Sequence, residues 1–527
     1  MKGDIDYSLY LVTDSTPAIL KGRDLVDVVE AAVKGGVGCV QLRDKTGDTA
    51  ELTSIARRLH EVTRKYRVPL LINDRVDVAL AVRCEGVHIG QDDMELAVAR
   101  QLLGPDAVIG VTVSTVEEAL RACEGGADYL GIGTVYATAT KTNTKNIIGA
   151  AGVQEILGAI AEVGASVQTV CIGGIDESNV QRILYQSGSP QKALDGVALV
   201  SAIVGVPDPE AAARNLLSLV KTHADSYKTP TRTESDTVIR SDFGLFVPAI
   251  IKKIHGNTPL SHNMTNLVVQ NFAANVALAI GASPIMANYG EEAADLCKLG
   301  GSLVINMGSV DPVGLANYVK ALKAYNIARQ PVVFDPVGAG ATAVRRAAVK
   351  TIMAEGYLDV IKGNEGEIRT VWGNHEAQQR GVDSSSTLDT DQKTALVAAL
   401  ATREKNVIIM TGKSDFVSDG QRTFRIDNGH EYLGAVTGTG CVLGTAISAA
   451  IAVYEEDKLE AAVAAMLLFE IAAEVAAARA DVKGPGTFLP AFLDELYNLR
   501  QATARGEVGW LQRAKMTSVA KRENTGS

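Results

Sequence analysis

The chain has 527 residues, 46% of them hydrophobic, and a formal net charge of −10 at pH 7. That length exceeds one typical domain severalfold, and the apolar content excludes a disordered or fibrous chain. The charges are of interspersed sign with no long basic run, which argues against nucleic acid as a partner and leaves small molecules. The cysteines Cys39, Cys84, Cys123, Cys171, Cys297 and Cys441 show neither metal nor disulfide spacing, and MKGDIDYSLY lacks the apolar core of a signal peptide. Both point to reduced thiols in the cytoplasm. Residues 432–454 form an uncharged run as long as a membrane span. Gly434, Gly438, Gly440 and Gly444 crowd its first half, so it reads as a buried loop entering a core helix, and no membrane partner is expected.

Along the first half, eight short β-branched runs recur, at 9–14, 39–45, 69–75, 86–90, 108–114, 129–135, 169–175 and 196–204. The segments between them, such as 48–66 and 115–125, carry apolar residues at helical spacing. Near-continuous apolar runs suit parallel strands buried on both faces. Eight βα units predict a TIM (β/α)8 barrel whose site forms where the strands end. Polar residues stand at those ends. Gln41, Arg43 and Lys45 alternate onto one face after the second strand; Asn73 and Asp74 close the third, and the run from His88 to Asp93 closes the fourth. The sixth leads into Thr138, Thr140 and Lys141, while Gly173-Gly174 and Val200-Ser201 follow the seventh and eighth. Arg43, Lys45 and Lys141 can neutralise phosphate oxygens, and Asp74 and Asp93 are hard ligands suited to Mg²⁺ held partly by substrate phosphates. Gly174 and Ser201 fall where such barrels bind phosphate through backbone N–H groups.

The set QLRDK, INDR, HIGQDD, TATK, IGGI and LVSAI, in this order and spacing, resembles thiamine-phosphate synthase over essentially the whole first half. The resemblance implies a pyrimidinylmethyl diphosphate joined to a thiazole phosphate with release of diphosphate, by a dissociative route assisted by Mg²⁺. By the same resemblance Gln41, Arg43, Lys45, Asn73 and Lys141 hold the pyrimidine diphosphate, and Asp74 and Asp93 bind Mg²⁺. Thr138, Thr140, Gly174, Val200 and Ser201 are implied for the thiazole phosphate. Two positions depart from the family pattern: Ala137 stands in place of a proline, and Thr112 in place of a serine.

Residues 221–242 contain only Ala224, Tyr227, Val238 and Ile239 as hydrophobic side chains. Too little surface can be buried there to offset ordering, so 226–242 is expected to be a linker between domains at 1–225 and 243–515. An amphipathic helix (Leu245, Val247, Ile250, Ile251, Ile254) leads into the motif at 258–266. A further helix runs to Gly281, and strands are predicted at 284–287, 303–307, 332–335, 360–362 and 406–411, making a second α/β sheet. Asn428-Gly429, between 424–426 and 432–433, reads as a hairpin turn. Strand ends again carry the polar groups: Asp335 with Arg345 beyond it, Asn364 to Glu367, Thr411, and the turn from Thr437 to Cys441. That Gly-rich turn opening a helix is an anion site, Asp335 and Glu367 can steer Mg²⁺, and Arg345 can reach nucleotide phosphates.

PLSHNMTN, GASPIMA, DPVGAGAT, IKGNEGE and AVTGTGC together resemble hydroxyethylthiazole kinase, a ribokinase-like fold, from about 243 to 513. The resemblance implies transfer of the ATP γ-phosphate to the hydroxyethyl group of a methylthiazole. Met286 and Gly438 are implied at the thiazole, and Arg345 and Thr411 at ATP. Cys441 stands where most of that superfamily has an aspartate base, and a helix N-terminus is expected to lower its thiol pKa. A homo-oligomer on trimeric kinase cores is also implied. For His262, solvated, capping and substrate-contact roles stay open. Residues 516–527 are polar and expected to be a disordered tail. The two resemblances explain each other, because the kinase product is the phosphate that the barrel consumes. They predict a bifunctional thiamine-biosynthesis enzyme.

Overall fold

The computed structural model describes residues 5–45, 47–136, 138, 147–226, 243–373 and 387–519. They fall in two compact units, Met1–Lys228 and Thr229–Ser527.

The first unit is a closed barrel of parallel strands: β1 (Leu9–Val12), β2 (Cys39–Leu42), β3 (Leu70–Asn73), β4 (Gly86–Ile89), β5 (Val108–Val113), β6 (Tyr129–Gly133), β7 (Gln168–Ile172) and β8 (Gly196–Leu199). Pairing of β1 with β8 closes the ring. Alternation along each strand divides the core. Leu9, Leu11, Val40, Leu42, Leu70 and Ile72 pack outward against the helices, whereas Tyr10, Val12, Cys39, Leu71 and Tyr129 fill the interior. Helices start on side-chain caps: Asp48 accepts from the Glu51 N–H at 2.9 Å and opens Thr49–Tyr66. The observed strands are shorter than the predicted runs, because the polar ends predicted as strand form the loops above the rim. Helix Pro209–Ser226 reaches into the first residue of the expected linker, and 227–242 lie outside the described residues.

The second unit is a nine-stranded sheet in the order β10-β9-β11-β12-β13-β14-β15-β16-β17. Its parallel strands are β9 (Leu260–Met264), β10 (Ser283–Ile285), β11 (Ser302–Asn306), β12 (Val332–Asp335), β13 (Val360–Asn364) and β14 (Val407–Thr411). β15 (Asp415–Ser418), β16 (Thr423–Ile426) and β17 (Met516–Ser518) extend it antiparallel. Both faces are covered: Val304, Val333, Val360 and Ile409 pack on one side, Ile305, Phe334, Ile361 and Met410 on the other. The uncharged run at 432–454 becomes the buried helix Thr439–Val453, and among the described residues no helix is long and apolar enough to cross a membrane.

Three expectations are corrected. The hairpin turns at 419–422 rather than at Asn428-Gly429. There the Asp419 carboxylate accepts from Gln421 and Arg422 N–H groups and Gly420 takes φ +90°. Asn428 instead donates to the Arg513 carbonyl and accepts from the Lys515 N–H, and a short helix, Tyr432–Ala435, follows. The expected tail does not begin at Met516, because Met516–Ser518 pairs with β16 and satisfies its edge; 520–527 lie outside the described residues. β9 is a strand that its sequence does not announce, because Ser261, His262 and Asn263 interrupt its apolar pattern, yet all three are buried and hydrogen-bonded.

Candidate active sites

On the barrel, the rim at the carboxyl ends of the strands gathers Lys45, Asp74 and Asp93. Lys45 Nζ lies 3.1 Å from Asp74 Oδ2. Asp74 adopts φ +62° just past β3, with its N–H held by the His88 carbonyl at 2.8 Å. This turns its carboxyl toward the loop after β4, where Asp93 Oδ2 accepts from the Gly90 N–H at 2.7 Å. Burial, then the Asp74 carboxyl at hydrogen-bonding range, raises the pKa of Asp93, with Lys45 pulling the other way. Two carboxylates this close favour a cation between them. Among the described residues no set of three or more His, Cys, Asp or Glu could hold a metal alone. The donor set therefore fits a hard divalent ion whose remaining ligands come from phosphate oxygens.

Gln41 is only 3% exposed and donates from Nε2 to the Tyr10 hydroxyl at 2.8 Å. Arg43 and Asn73, both half-buried, stand at the ends of β2 and β3. Gly174 (φ +64°) follows β7, and its carbonyl accepts from Asn179 Nδ2 at 2.8 Å. Val200 follows β8 and packs on the interior cluster, while Ser201 opens the short helix Ser201–Val204. Thr138 is half-buried; Ala137, Thr140 and Lys141 lie outside the described residues.

In the second unit the cluster is drier. Asp335 is 1% exposed at the end of β12. Its Oδ2 accepts from Asn306 Nδ2 at 2.9 Å and lies 3.3 Å from Lys362 Nζ, while Oδ1 has no hydrogen-bond partner among the described residues. Lys362 also donates to the Gly440 carbonyl at 2.8 Å, tying β13 to the start of helix Thr439–Val453. Burial opposes charge on Lys362, but Asp335, then Cys441 and Glu367, more than offset it and hold its pKa above the ordinary value. Glu367 accepts from the Gly338 and Asn364 N–H groups, each at 2.8 Å. Burial and then Asp335 push its pKa up to about 7. An orphaned buried carboxylate oxygen beside a second carboxyl fits a divalent cation shared with nucleotide phosphates.

Cys441 overturns one expectation. Burial first, then Asp335, push its thiol up to about 11, against smaller opposing pulls from Lys362 and an Asn306 hydrogen bond. The helix end therefore does not leave it poised as a thiolate. His262 is not solvated: Nε2 donates to the Ala287 carbonyl at 2.8 Å, and Nδ1 accepts from the Tyr325 hydroxyl at 3.1 Å. Arg345 clamps the loops after β11 and β12, donating to the carbonyls of Met307 (2.9 Å), Val337 (2.7 Å) and Gly308 (2.7 Å). Thr411 ends β14, Met286 follows β10 against the core, and Gly438 caps its helix at φ +89°. Sequence reasoning missed Asn306 and Lys362. The only available signal was a lone polar residue at the end of an apolar strand run.

A model of thiamine monophosphate synthase matches residues 9–203, and one of the hydroxyethylthiazole kinase family matches 251–502. The chain is 42% identical over 522 residues to the probable thiamine biosynthetic bifunctional enzyme of Schizosaccharomyces pombe, covering 98% of this chain and 99% of that one. It is 36% identical over 531 residues to the thiamine biosynthetic bifunctional enzyme of Saccharomyces cerevisiae, covering 94% and 96%. A solved hydroxyethylthiazole kinase from Pyrococcus horikoshii OT3 is 37% identical over 52% of this chain and 99% of that chain, with a TM-score of 0.46. Identity running nearly end to end through both sheets places the chain in the family of bifunctional thiamine-biosynthetic enzymes, with a thiamine-phosphate synthase barrel followed by a hydroxyethylthiazole kinase domain.

Proposed function

We propose that the second unit phosphorylates 4-methyl-5-(2-hydroxyethyl)thiazole with ATP. The barrel then condenses the thiazole phosphate with 4-amino-2-methyl-5-pyrimidinylmethyl diphosphate, giving thiamine phosphate and diphosphate. The observation that carries this reading is that each of the two sheets sets acidic side chains beside a lysine at its strand ends, Asp74 with Lys45 and Asp335 with Lys362.

In the barrel, Gln41, Arg43, Lys45, Asn73 and Lys141 hold the pyrimidine diphosphate, and Asp74 and Asp93 would hold Mg²⁺. Thr138, Thr140, Gly174, Val200 and Ser201 receive the thiazole phosphate. The carbon–oxygen bond to diphosphate breaks, and the thiazole nitrogen takes the pyrimidinylmethyl carbon. Arg43, Lys45 and Lys141 meet the charge that develops on the leaving oxygens, in a site rich in fixed charge and poor in nucleophiles. Bound Mg²⁺ supplies further charge neutralisation to the diphosphate.

In the kinase, Met286 and Gly438 flank the thiazole, and Arg345 and Thr411 flank ATP. Asp335 and Glu367 would steer Mg²⁺. Lys362 holds the turn bearing Gly440 and Cys441 against Asp335. Cys441 stands beside the alcohol as a thiol, secondary to positioning and charge neutralisation. We assign the enzyme to the cytoplasm, supported by its free cysteines, and to a homo-oligomer on trimeric kinase cores.

³¹P NMR of the full chain with ATP, the thiazole alcohol and the pyrimidine diphosphate tests the scheme. Thiazole phosphate should appear first, then thiamine phosphate and diphosphate. Supplied thiazole phosphate should make ATP dispensable. Failure to form thiamine phosphate under either condition would refute it.

A further inference from the structure

Beneath the barrel mouth, five polar side chains form one hydrogen-bonded chain. Gln41 Nε2 donates to Tyr10 Oη at 2.8 Å, and Tyr10 Oη lies 2.7 Å from Tyr129 Oη. Tyr129 Oη is 2.7 Å from His88 Nδ1, and His88 Nε2 is 2.7 Å from Thr112 Oγ1. The chain thus crosses β2, β1, β6, β4 and β5. Space is cleared for it: a Cβ on Gly110 would overlap the Tyr129 ring, and one on Gly131 would come within 3.0 Å of His88 Cε1.

An amide N–H can only donate, and that sets a direction. Tyr10 accepts from Gln41, so its own hydrogen goes to Tyr129; the neighbouring Cys39 sulfur is a weak acceptor. Tyr129 then donates to His88 Nδ1. An imidazole that accepts at Nδ1 carries its hydrogen on Nε2, and this is given to Thr112 Oγ1. The Thr112 hydrogen is left for a partner outside the chain. Thr112 stands near the carboxyl end of β5, half-exposed, with its carbonyl held by Gln91 Nε2 at 2.7 Å in the loop that carries Asp93. Any other arrangement of the same five groups, with Gln41 Nε2 donating, sends a buried tyrosine hydrogen to sulfur or to nothing.

We propose that Tyr10, Tyr129 and His88 are positioning residues of the synthase. They lock the Gln41 amide and present the Thr112 hydroxyl as a donor to an anionic oxygen of the diphosphate substrate. This rests on the reading that the rim holds that substrate. His88 is buried with hydroxyls, not carboxylates, at both ring nitrogens, so its surroundings favour the neutral ring whose tautomer the chain defines.

Rotating the Gln41 amide would reverse every bond at once, so the His88 tautomer reports the direction of the whole chain. The experiment is NMR of full-length protein labelled with ¹⁵N in histidine, with the His88 signals assigned by their loss in His88→Gln. The wild type should show only the Nε2–H form. Tyr10→Phe cuts the chain from Gln41, so both tautomers should appear. Its kcat/KM for condensation should fall about tenfold, while the signals of His60, which lies in the same barrel and reports its folding, stay unchanged. An Nδ1–H form in the wild type would overturn the proposal. So would a Tyr10→Phe protein with an unmixed Nε2–H signal and full condensation rate. Should that variant not fold, the wild-type tautomer still decides. Full condensation by Asp93→Asn would instead sink the placement of the substrate and leave the tautomer result standing.

Discussion

Gly438→Ala tests the division of labour at a single atom. Gly438 precedes helix Thr439–Val453 at φ +89°, where a residue with a Cβ costs roughly 1–2 kcal/mol. The added Cβ would also overlap Val269 Cγ1 and stand 3.3 Å from Val269 Cβ. Val269 is buried, so yielding there costs about 1–3 kcal/mol more. The cheaper relief is movement of the turn itself. That turn presents the Gly440 carbonyl to Lys362 and places Cys441 near Asp335. A displacement of about 1 Å at reacting groups is worth on the order of a hundredfold. Kinase kcat/KM for the thiazole alcohol, followed by ADP release, should therefore fall about a hundredfold. Condensation of supplied thiazole phosphate, followed by chromatography of thiamine phosphate, should be unchanged, because the barrel is a compact unit of its own. Kinase activity within twofold of wild type would refute the strain argument. Loss of condensation with thiazole phosphate supplied would refute the independence of the halves.

Other expectations follow from the same geometry. With its thiol pushed up to about 11, Cys441 is thiolate in roughly one molecule in ten thousand at pH 7. Cys441→Ala should therefore cost the kinase less than about tenfold, and a wild-type rate climbing tenfold per pH unit from pH 6 to 9, flattened in the variant, would contradict this. Asp93→Asn should lower condensation by roughly a hundredfold with the kinase intact; a wild-type rate at limiting Mg²⁺ would remove Asp93 from the metal site. The fourth concerns the buried pair Asp415 and Glu470, whose oxygens face each other although neither Glu470 oxygen has a donor among the described residues, so they bond by sharing a proton. Burial raises Asp415 from 3.8 to about 6 and Glu470 further above its ordinary range. The folded state then keeps protons that the unfolded chain has released, so stability falls as pH rises from about 4 through 6 and beyond, by about 3 kcal/mol for Asp415 alone. Glu470→Gln should raise the melting temperature of the kinase domain more at pH 8 than at pH 5, and an equal shift at both would show that the pair does not share a proton.

What could be read from the chain alone depended on how far each residue's decisive partner lies along it. The barrel strands were legible because burial on both faces makes each one an apolar run in itself, and Asp74 and Asp93 because a parallel strand delivers its last polar residues to the rim. Asn428-Gly429 carries the local mark of a hairpin, but its partners are Arg513 and Lys515, more than eighty residues on, and they draw it into a different bend. The sequence leaves His262 open to solvated, capping and substrate-contact roles, and only the fold brings the Tyr325 hydroxyl and the Ala287 carbonyl to its ring. Cys441 shows the same conflict in electrostatic form: the helix start is local and argues for a thiolate, while Asp335, contributed by a distant strand, and burial argue more strongly for a thiol. Lys362 and Asn306 carry only a weak local mark, each a lone polar side chain after an apolar strand run, and only the packing of β11, β12 and β13 side by side turns them into partners of Asp335. Buried polar groups must find partners, and in a parallel sheet the nearest one lies on the next strand, a whole helix away in sequence. Both strand-end clusters are built from such pairs, which is why the motifs mark the strand ends while the partners of the groups there emerge only from the fold.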